Sequence, residues 1–343
     1  MKLLYWLDEW LTLSDDERQA KLPTSGGDLL GDVYVKYHFV DLNKPLLFTF
    51  SPAGTDVQER DLNEDFAPWG YHLAQKQNVN IIAFQHLGKS NWFRNRNLIF
   101  FIEQLAPLLY PFKTKLGYGL SRGGFAVGAF AKLLKLDKVL FFHPVSTKNK
   151  LLAPWDDRSS TEIAQQYDWQ GDYHDLDLGD AEGYIIYDPT NRIDRQHAKR
   201  YKQLTHLRVF GMGHGTHATY LNKFGFYKQV AVDFIRDQQI DIAQFRLQTK
   251  TLRLKEDYYK KLNKANAKSP HRQALLSTAH TILIDEKATH VKEHQAQIDI
   301  QPLIDVAIKH QDENPTDAIK LLEVAQQLVP DDPLVEHKLK QLK

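Results

Sequence analysis

The run Leu116-Gly117-Tyr118-Gly119-Leu120-Ser121-Arg122-Gly123-Gly124 sets one serine between two glycines in the pattern G-x-S-x-G. That spacing is the nucleophile elbow, a strand-to-helix turn tight enough to push the serine hydroxyl out of the backbone. The positions two before and two after the serine approach each other in such a turn, so both must be small. Gly119 and Gly123 meet that need. A serine becomes a useful nucleophile only when a base takes its proton and a carboxylate orients that base. Two acids qualify downstream: Asp188, directly after the apolar run 183–187, stands ahead of Asp194, six residues on. Asp188-Pro189 is also an ordinary way to open a turn. The base is His214 in Phe210-Gly211-Met212-Gly213-His214-Gly215-Thr216-His217, with His217 as the alternative. The His-x-x-His spacing also admits a metal pair, but no other ligand cluster converges on it, so no metal and no cofactor are expected.

An acyl-transfer transition state needs two amide donors for its oxyanion. One is the amide after the serine, that of Arg122. The other falls in Ser51-Pro52-Ala53-Gly54-Thr55. Proline has no N–H, which favours Ala53 and leaves Gly54 in reserve. Arg122 itself puts a charge beside the nucleophile, either for an anionic substrate or, preferred here, for a surface carboxylate.

These residues need a scaffold that brings loops together at strand ends. Residues 1–22 read as an amphipathic helix closed by Pro23 and a Gly26-Gly27 turn. Apolar, β-rich runs follow at 33–40, 46–50, 79–84, 115–119, 138–142, 183–187 and 207–210. Helical patterns lie near 62–76, 97–110, 122–135 and 194–203. Such alternation predicts an α/β fold with a mostly parallel sheet covered on both faces. The small residues Gly123, Gly124, Ala126, Gly128, Ala129 and Ala131 suit a helix that packs close to that sheet. Beyond 224 the helical segments 225–236, 241–264, 270–285, 301–311, 315–328 and 332–342 predict an all-helical extension. Residues 317–333, with their Ala and Leu spacing and closing Pro-Asp-Asp-Pro, resemble the second helix of a tetratricopeptide repeat; only one unit is visible.

The composition is that of an ordinary globular protein: 343 residues, 42% hydrophobic, 25% charged, net charge +1. It gives no reason to expect nucleic acid. With no cysteine, disulfides and thiolate metal sites are excluded. No run of 18 apolar residues exists to span a membrane, and acids interrupt the apolar start, so the expected location is cytoplasmic.

Residues 33–236 resemble the α/β-hydrolase superfamily through the elbow, the acid after the strand, the Gly-Met-Gly-His214 loop and their order Ser, Asp, His. The resemblance implies a serine hydrolase that forms an acyl-enzyme on Ser121, with Asp188 and His214 completing the triad and the Ala53 and Arg122 amides the oxyanion hole. It divides the chain into an N-terminal helix and linker (1–32), a hydrolase domain (33–236) with a cap insertion (144–182), and a helical region (237–343). The cap carries nine acids against three basic residues. Trp155, Tyr167, Trp169 and Tyr173 are interleaved among them. A cap so polar argues against a lipase lid and admits a small polar or glycan ester, although packing explains the rings more simply. His143-Pro144 and Trp92-Phe93-Arg94 fit either the site rim or core packing. The basic run from Arg246 to Arg272 is a solvated face or a docking surface for a protein partner. Two other functions remain open: acyl transfer to a hydroxyl acceptor, and a non-catalytic interaction protein of a polysaccharide or secretion pathway.

Overall fold

The computed structural model describes residues 1–55, 57–88, 92–158, 164–165, 167–211, 213–214, 226–250, 256–265, 269–296, 300–330 and 332–342. They form two compact units, Met1–Ala267 and Lys268–Lys343.

The first unit is built on an eight-stranded sheet. Its strands are β1 (Thr24–Leu30), β2 (Val33–Phe39), β3 (Leu46–Phe50), β4 (Asn80–His86), β5 (Lys115–Leu120), β6 (Lys138–Phe142), β7 (Glu182–Tyr187) and β8 (Thr205–Arg208), in spatial order β1-β2-β4-β3-β5-β6-β7-β8. Only β2 runs against the rest: it pairs antiparallel with β1 and β4, and every other pairing is parallel. The central strands β3 and β4 are buried along their whole length, as strands covered on both faces must be. Alternate residues serve opposite cores. Phe48, Phe50, Phe84 and Phe141 face one core with Leu3, Leu7 and Trp10 of α1 (Lys2–Leu11), Phe101 of α4 (Arg96–Leu105) and Phe130 of α5 (Arg122–Leu134). Leu47, Ile81, Leu140 and Phe142 face the other with Tyr71 and Ala74 of α3 (Tyr71–Lys76) and Tyr227, Val230 and Phe234 of the helix Phe226–Asp237.

The N-terminal expectation needs correction. Residues 1–32 are not a helix and linker but part of the sheet domain. The predicted single helix breaks at Ser14, whose hydroxyl accepts the Glu17 N–H while the Glu17 carboxylate accepts the Ser14 N–H, starting α2 (Asp15–Ala20). Gly26 and Gly27 make no turn; they lie within β1. The Tyr37 and Tyr34 rings lie over them from β2, where a β-carbon would collide. Aromatic cover of this kind lets glycine sit in a strand despite its poor propensity.

The domain boundary also moves. Phe245 and Leu262, in the helices Ile242–Lys250 and Glu256–Ala265, are buried in the first unit, so that unit runs to 267 rather than 236. In the second unit Gln301–His310, Pro315–Leu328 and Pro333–Leu342 share a core of Ile304, Ala307, Ala318, Leu322, Ala325, Val335 and Leu339. The helix that resembles a tetratricopeptide element is the middle one of the three, and the long helix Pro270–Ala296 precedes them. Among the described residues no helix is long and apolar enough to cross a membrane.

Candidate active site

Ser121 occupies the junction of β5 and α5 with φ +50° and ψ −112°. A non-glycine residue rarely adopts such a backbone, and strain of this kind persists only where the surroundings enforce it. The surroundings are the glycines. A β-carbon on Gly119 would come within 2.6 Å of the Gly124 Cα, and one on Gly123 would overlap the Phe50 carbonyl oxygen of β3. Gly123 is therefore small chiefly because β3 is close, and less because it approaches Gly119.

The strained turn aims the hydroxyl at a histidine. Ser121 Oγ lies 2.9 Å from His214 Nε2, and His214 Nδ1 lies 2.6 Å from a carboxylate oxygen of Asp194. A proton on Nδ1, donated to Asp194, leaves Nε2 free to accept from the serine.

Asp188, the acid placed first from the sequence, does not touch the imidazole. Its Oδ2 accepts the Gly213 N–H at 2.7 Å, and its Oδ1 accepts the Thr190 N–H and hydroxyl at 2.8 and 2.6 Å. The side chain is committed to an Asx turn and to the backbone that precedes His214. The carboxylate that does meet the ring comes from α6 (Arg192–Ala198), where Asn191 caps the helix through the Ile193 and Asp194 amides. His217 lies outside the described residues.

On the other flank, the turn Ser51-Pro52-Ala53-Gly54 leaves the end of β3 beside the elbow, since β3 pairs with β5. Ala53 is exposed on that turn, and Arg122 opens α5, where the first amides of a helix have no partner within it. The Arg122 guanidinium reaches back toward the loop after β3. It is buried, and it donates to the Pro52 carbonyl at 3.0 Å, tying the loop after β3 to the elbow. His86 supports the same loop: its N–H donates to Ser51 Oγ, and its ring nitrogens lie 2.9 Å from the Gly88 carbonyl and 3.3 Å from that of Pro52. Burial, reinforced by the Arg122 charge, pushes the His86 pKa down to about 4, so it is neutral at pH 7.

His143, at the end of β6, has φ +33° and presents its ring to that of His214, the centroids 4.6 Å apart and the planes 64° to each other. Arg94 is not a rim residue: it donates to the backbone carbonyls of Asp168 and Asp172 and so holds the cap segment down. Trp169 is buried against Trp92 and Phe125, and Tyr173 packs on Phe130, so these rings serve packing rather than sugar stacking. Four of the cap's nine acids are paired: Asp156 with Lys148 and Arg158 inside the segment, and Asp157 with Arg192, Asp175 with Arg200 and Asp177 with Lys132 outside it. Of the basic run in the tail, Arg253, Lys255 and Lys268 lie outside the described residues. Among the described residues no cluster of three potential metal ligands occurs.

A single antiparallel strand at position two, a serine elbow after β5, an acid after β7 and a histidine loop after β8 decide the architecture. This is the α/β-hydrolase fold. No protein-family model and no curated protein matches the sequence. Among solved structures, the chain is similar to a hyperthermophilic esterase from the archaeon Pyrobaculum calidifontis, at 10% identity and a TM-score of 0.42 over 69% of this chain and 90% of that one. It is also similar to the fluorophosphonate-binding serine hydrolase F of Staphylococcus aureus (12%, TM-score 0.39, 62% of this chain and 97% of that one). A third similar structure is the capsule O-acetyltransferase of Neisseria meningitidis serogroup A (12%, TM-score 0.41, 62% and 99%).

Proposed function

We propose that the protein is a serine hydrolase that cleaves an acyl ester through an acyl-enzyme on Ser121. The observation that carries this reading is the unbroken hydrogen-bonded chain from Ser121 Oγ through His214 to Asp194, at 2.9 and 2.6 Å. In this reading Ser121 Oγ attacks the ester carbonyl carbon as its proton passes to His214 Nε2. Asp194 holds the ring in the tautomer that accepts that proton and stabilises the imidazolium that results. The oxyanion is met by the amides of Arg122 and Ala53, the Arg122 side chain and His86 steadying the loop that carries the second. His214 then returns its proton to the leaving alkoxide, and a water, deprotonated by the same nitrogen, releases the acid and regenerates the serine.

With Trp169 and Tyr173 packed inward, the proposal concerns the bond broken. A fluorophosphonate probe on the whole protein is expected to label Ser121, and Ser121→Ala is expected to abolish labelling and lower turnover of a responsive ester by ~10⁴-fold or more with little change in stability. Labelling at another residue, or none, would overturn the reading. Product analysis with added alcohols distinguishes hydrolysis from acyl transfer by whether the acyl group reaches water or the acceptor.

A further inference from the structure

Asp194 carries its carboxylate into the protein interior, 1% exposed. Its Oδ1 takes the His214 Nδ1–H, while its Oδ2, equally buried, has no hydrogen-bond partner among the described residues. An ionised carboxylate so sparsely bonded is unfavourable in the interior unless a cation stands close. Among the described residues, two groups able to carry positive charge lie within 4.0 Å of it: His214 and Arg158. His214 is neutral when it serves as the base, so Arg158, on the cap segment with its guanidinium nitrogen 3.8 Å from Asp194 Oδ1, is the permanent one.

The placement of Arg158 is heavily determined. Its Nε and terminal nitrogen fork onto the two oxygens of Asp156 at 2.8 and 2.6 Å. Asp156 also accepts Lys148 Nζ at 2.7 Å and His197 Nε2–H at 3.0 Å. The His197 ring is fixed from its other side: the Ser146 N–H points at Nδ1, 3.2 Å away, which leaves the ring proton on Nε2, toward Asp156. The side chains of Lys148, Asp156 and His197 are wholly buried. Among the described residues the cluster sets the carboxylates of Asp156 and Asp194 against the cations Lys148 and Arg158. His197 also stands one turn beyond Asp194 on α6, so the buried cluster grips the helix that carries the acid.

We propose that Arg158 is a positioning residue: clamped by Asp156, it supplies the fixed charge that holds the Asp194 carboxylate against His214 Nδ1. The proposal rests on Ser121 being the activated nucleophile, and its test separates the two.

Two readouts on the full chain decide it: the rate at which a fluorophosphonate labels Ser121, and the low-field proton resonance of the His214 Nδ1–H bonded to Asp194, assigned by its loss in His214→Gln. Arg158→Met is expected to slow labelling at least tenfold and to shift or broaden the resonance. Arg158→Lys, which restores the charge without the fork, is expected to recover part of both. Arg192→Gln, which removes an exposed neighbour paired with Asp157, should leave both unchanged. If Arg158→Met does not fold, Arg158→Gln keeps a donor for Asp156, lacks the charge, and carries the same expectation. Wild-type labelling and an unmoved resonance in the folded Met or Gln variant would overturn the role of Arg158 and leave the serine reading intact. A wild-type protein that shows the resonance but is never labelled would refute the serine reading, and the resonance in Arg158→Met would still decide the question of Arg158.

Discussion

Two aspartates six residues apart divide the work of setting the imidazole. Asp188 holds the backbone of the histidine loop through Gly213, and Asp194 holds the ring through Nδ1. The division predicts different phenotypes. Asp194→Asn keeps the shape but offers an amide that can favour the wrong tautomer, so fluorophosphonate labelling of Ser121 should fall by roughly 10³–10⁴-fold with the fold intact. Asp188→Ala strands the Gly213 and Thr190 donors. It should cost about 1–3 kcal/mol in urea unfolding and slow labelling far less. The reverse ranking of labelling rates would show that the two roles are exchanged. The sequence favoured Asp188 because a carboxylate just past a strand end is where a triad acid belongs. Asp194 looked instead like an ordinary acid in the first turn of a helix, after the capping Asn191. Nothing in linear spacing distinguishes an acid that bonds a loop amide from one that bonds a ring a few ångströms away. The contact of Arg122 with the Pro52 carbonyl is hidden for a similar reason: backbone acceptors leave no mark in composition.

Elements were legible where hydrophobic period and turn chemistry agreed. β2 to β7 and α5 lie close to their expected spans because each carries an apolar run bounded by polar or glycine residues. β1 was not legible, since its glycines are covered by tyrosines of the next strand, a relation across the sheet that local propensity cannot register. The last strand, Thr205–Arg208, starts two residues before the apolar run 207–210, and the helix expected near 194–203 begins earlier and is shorter, Arg192–Ala198. The elbow shows how tightly elements constrain one another. Gly123 lies on α5, yet the atom it must avoid is a carbonyl of β3. Gly123→Ala therefore forces the first turn of α5 away from the sheet, and should destabilise the first unit by at least ~1–3 kcal/mol, read as a lower urea midpoint with unchanged m-value. Gly54→Ala, where a β-carbon would meet nothing within 4 Å but the backbone has φ +85°, should cost less, about 1–2 kcal/mol of backbone strain. Equal costs at the two sites would mean that the contact with β3 is not what requires Gly123.

At the scale of the molecule, buried ionisable groups beside the sheet give the first unit a directional response to pH. His86 titrates near 4 in the fold, against about 6.5 in an unfolded chain, because burial and then the Arg122 charge disfavour its protonated form. Between those values the unfolded state binds a proton that the folded state refuses, so stability must fall as pH drops from 6.5 to 4. A shift of that size corresponds to ~3 kcal/mol across the window. Asp156 extends the loss further into acid. Burial alone would raise its pKa, but hydrogen bonds from Arg158 and His197 and the charges of Arg158 and Lys148 hold it well below the usual carboxylate range. Its contribution is complete above its unfolded value, near 3.9, and is lost as pH falls below it. Lys148 acts on the alkaline side. Burial, then the Arg158 charge, lowers its pKa to about 8, so from there to about 10.4 the unfolded chain holds the extra proton and stability rises with pH. Each of the two units has its own core, and among the described residues no core cluster spans both, so calorimetry should resolve two transitions. The larger transition, from the unit that holds His86, should move down as pH falls from 6.5 to 4, and His86→Gln should flatten that slope. A larger transition that still falls equally steeply in His86→Gln would assign the acid sensitivity to another group and remove His86 from the account.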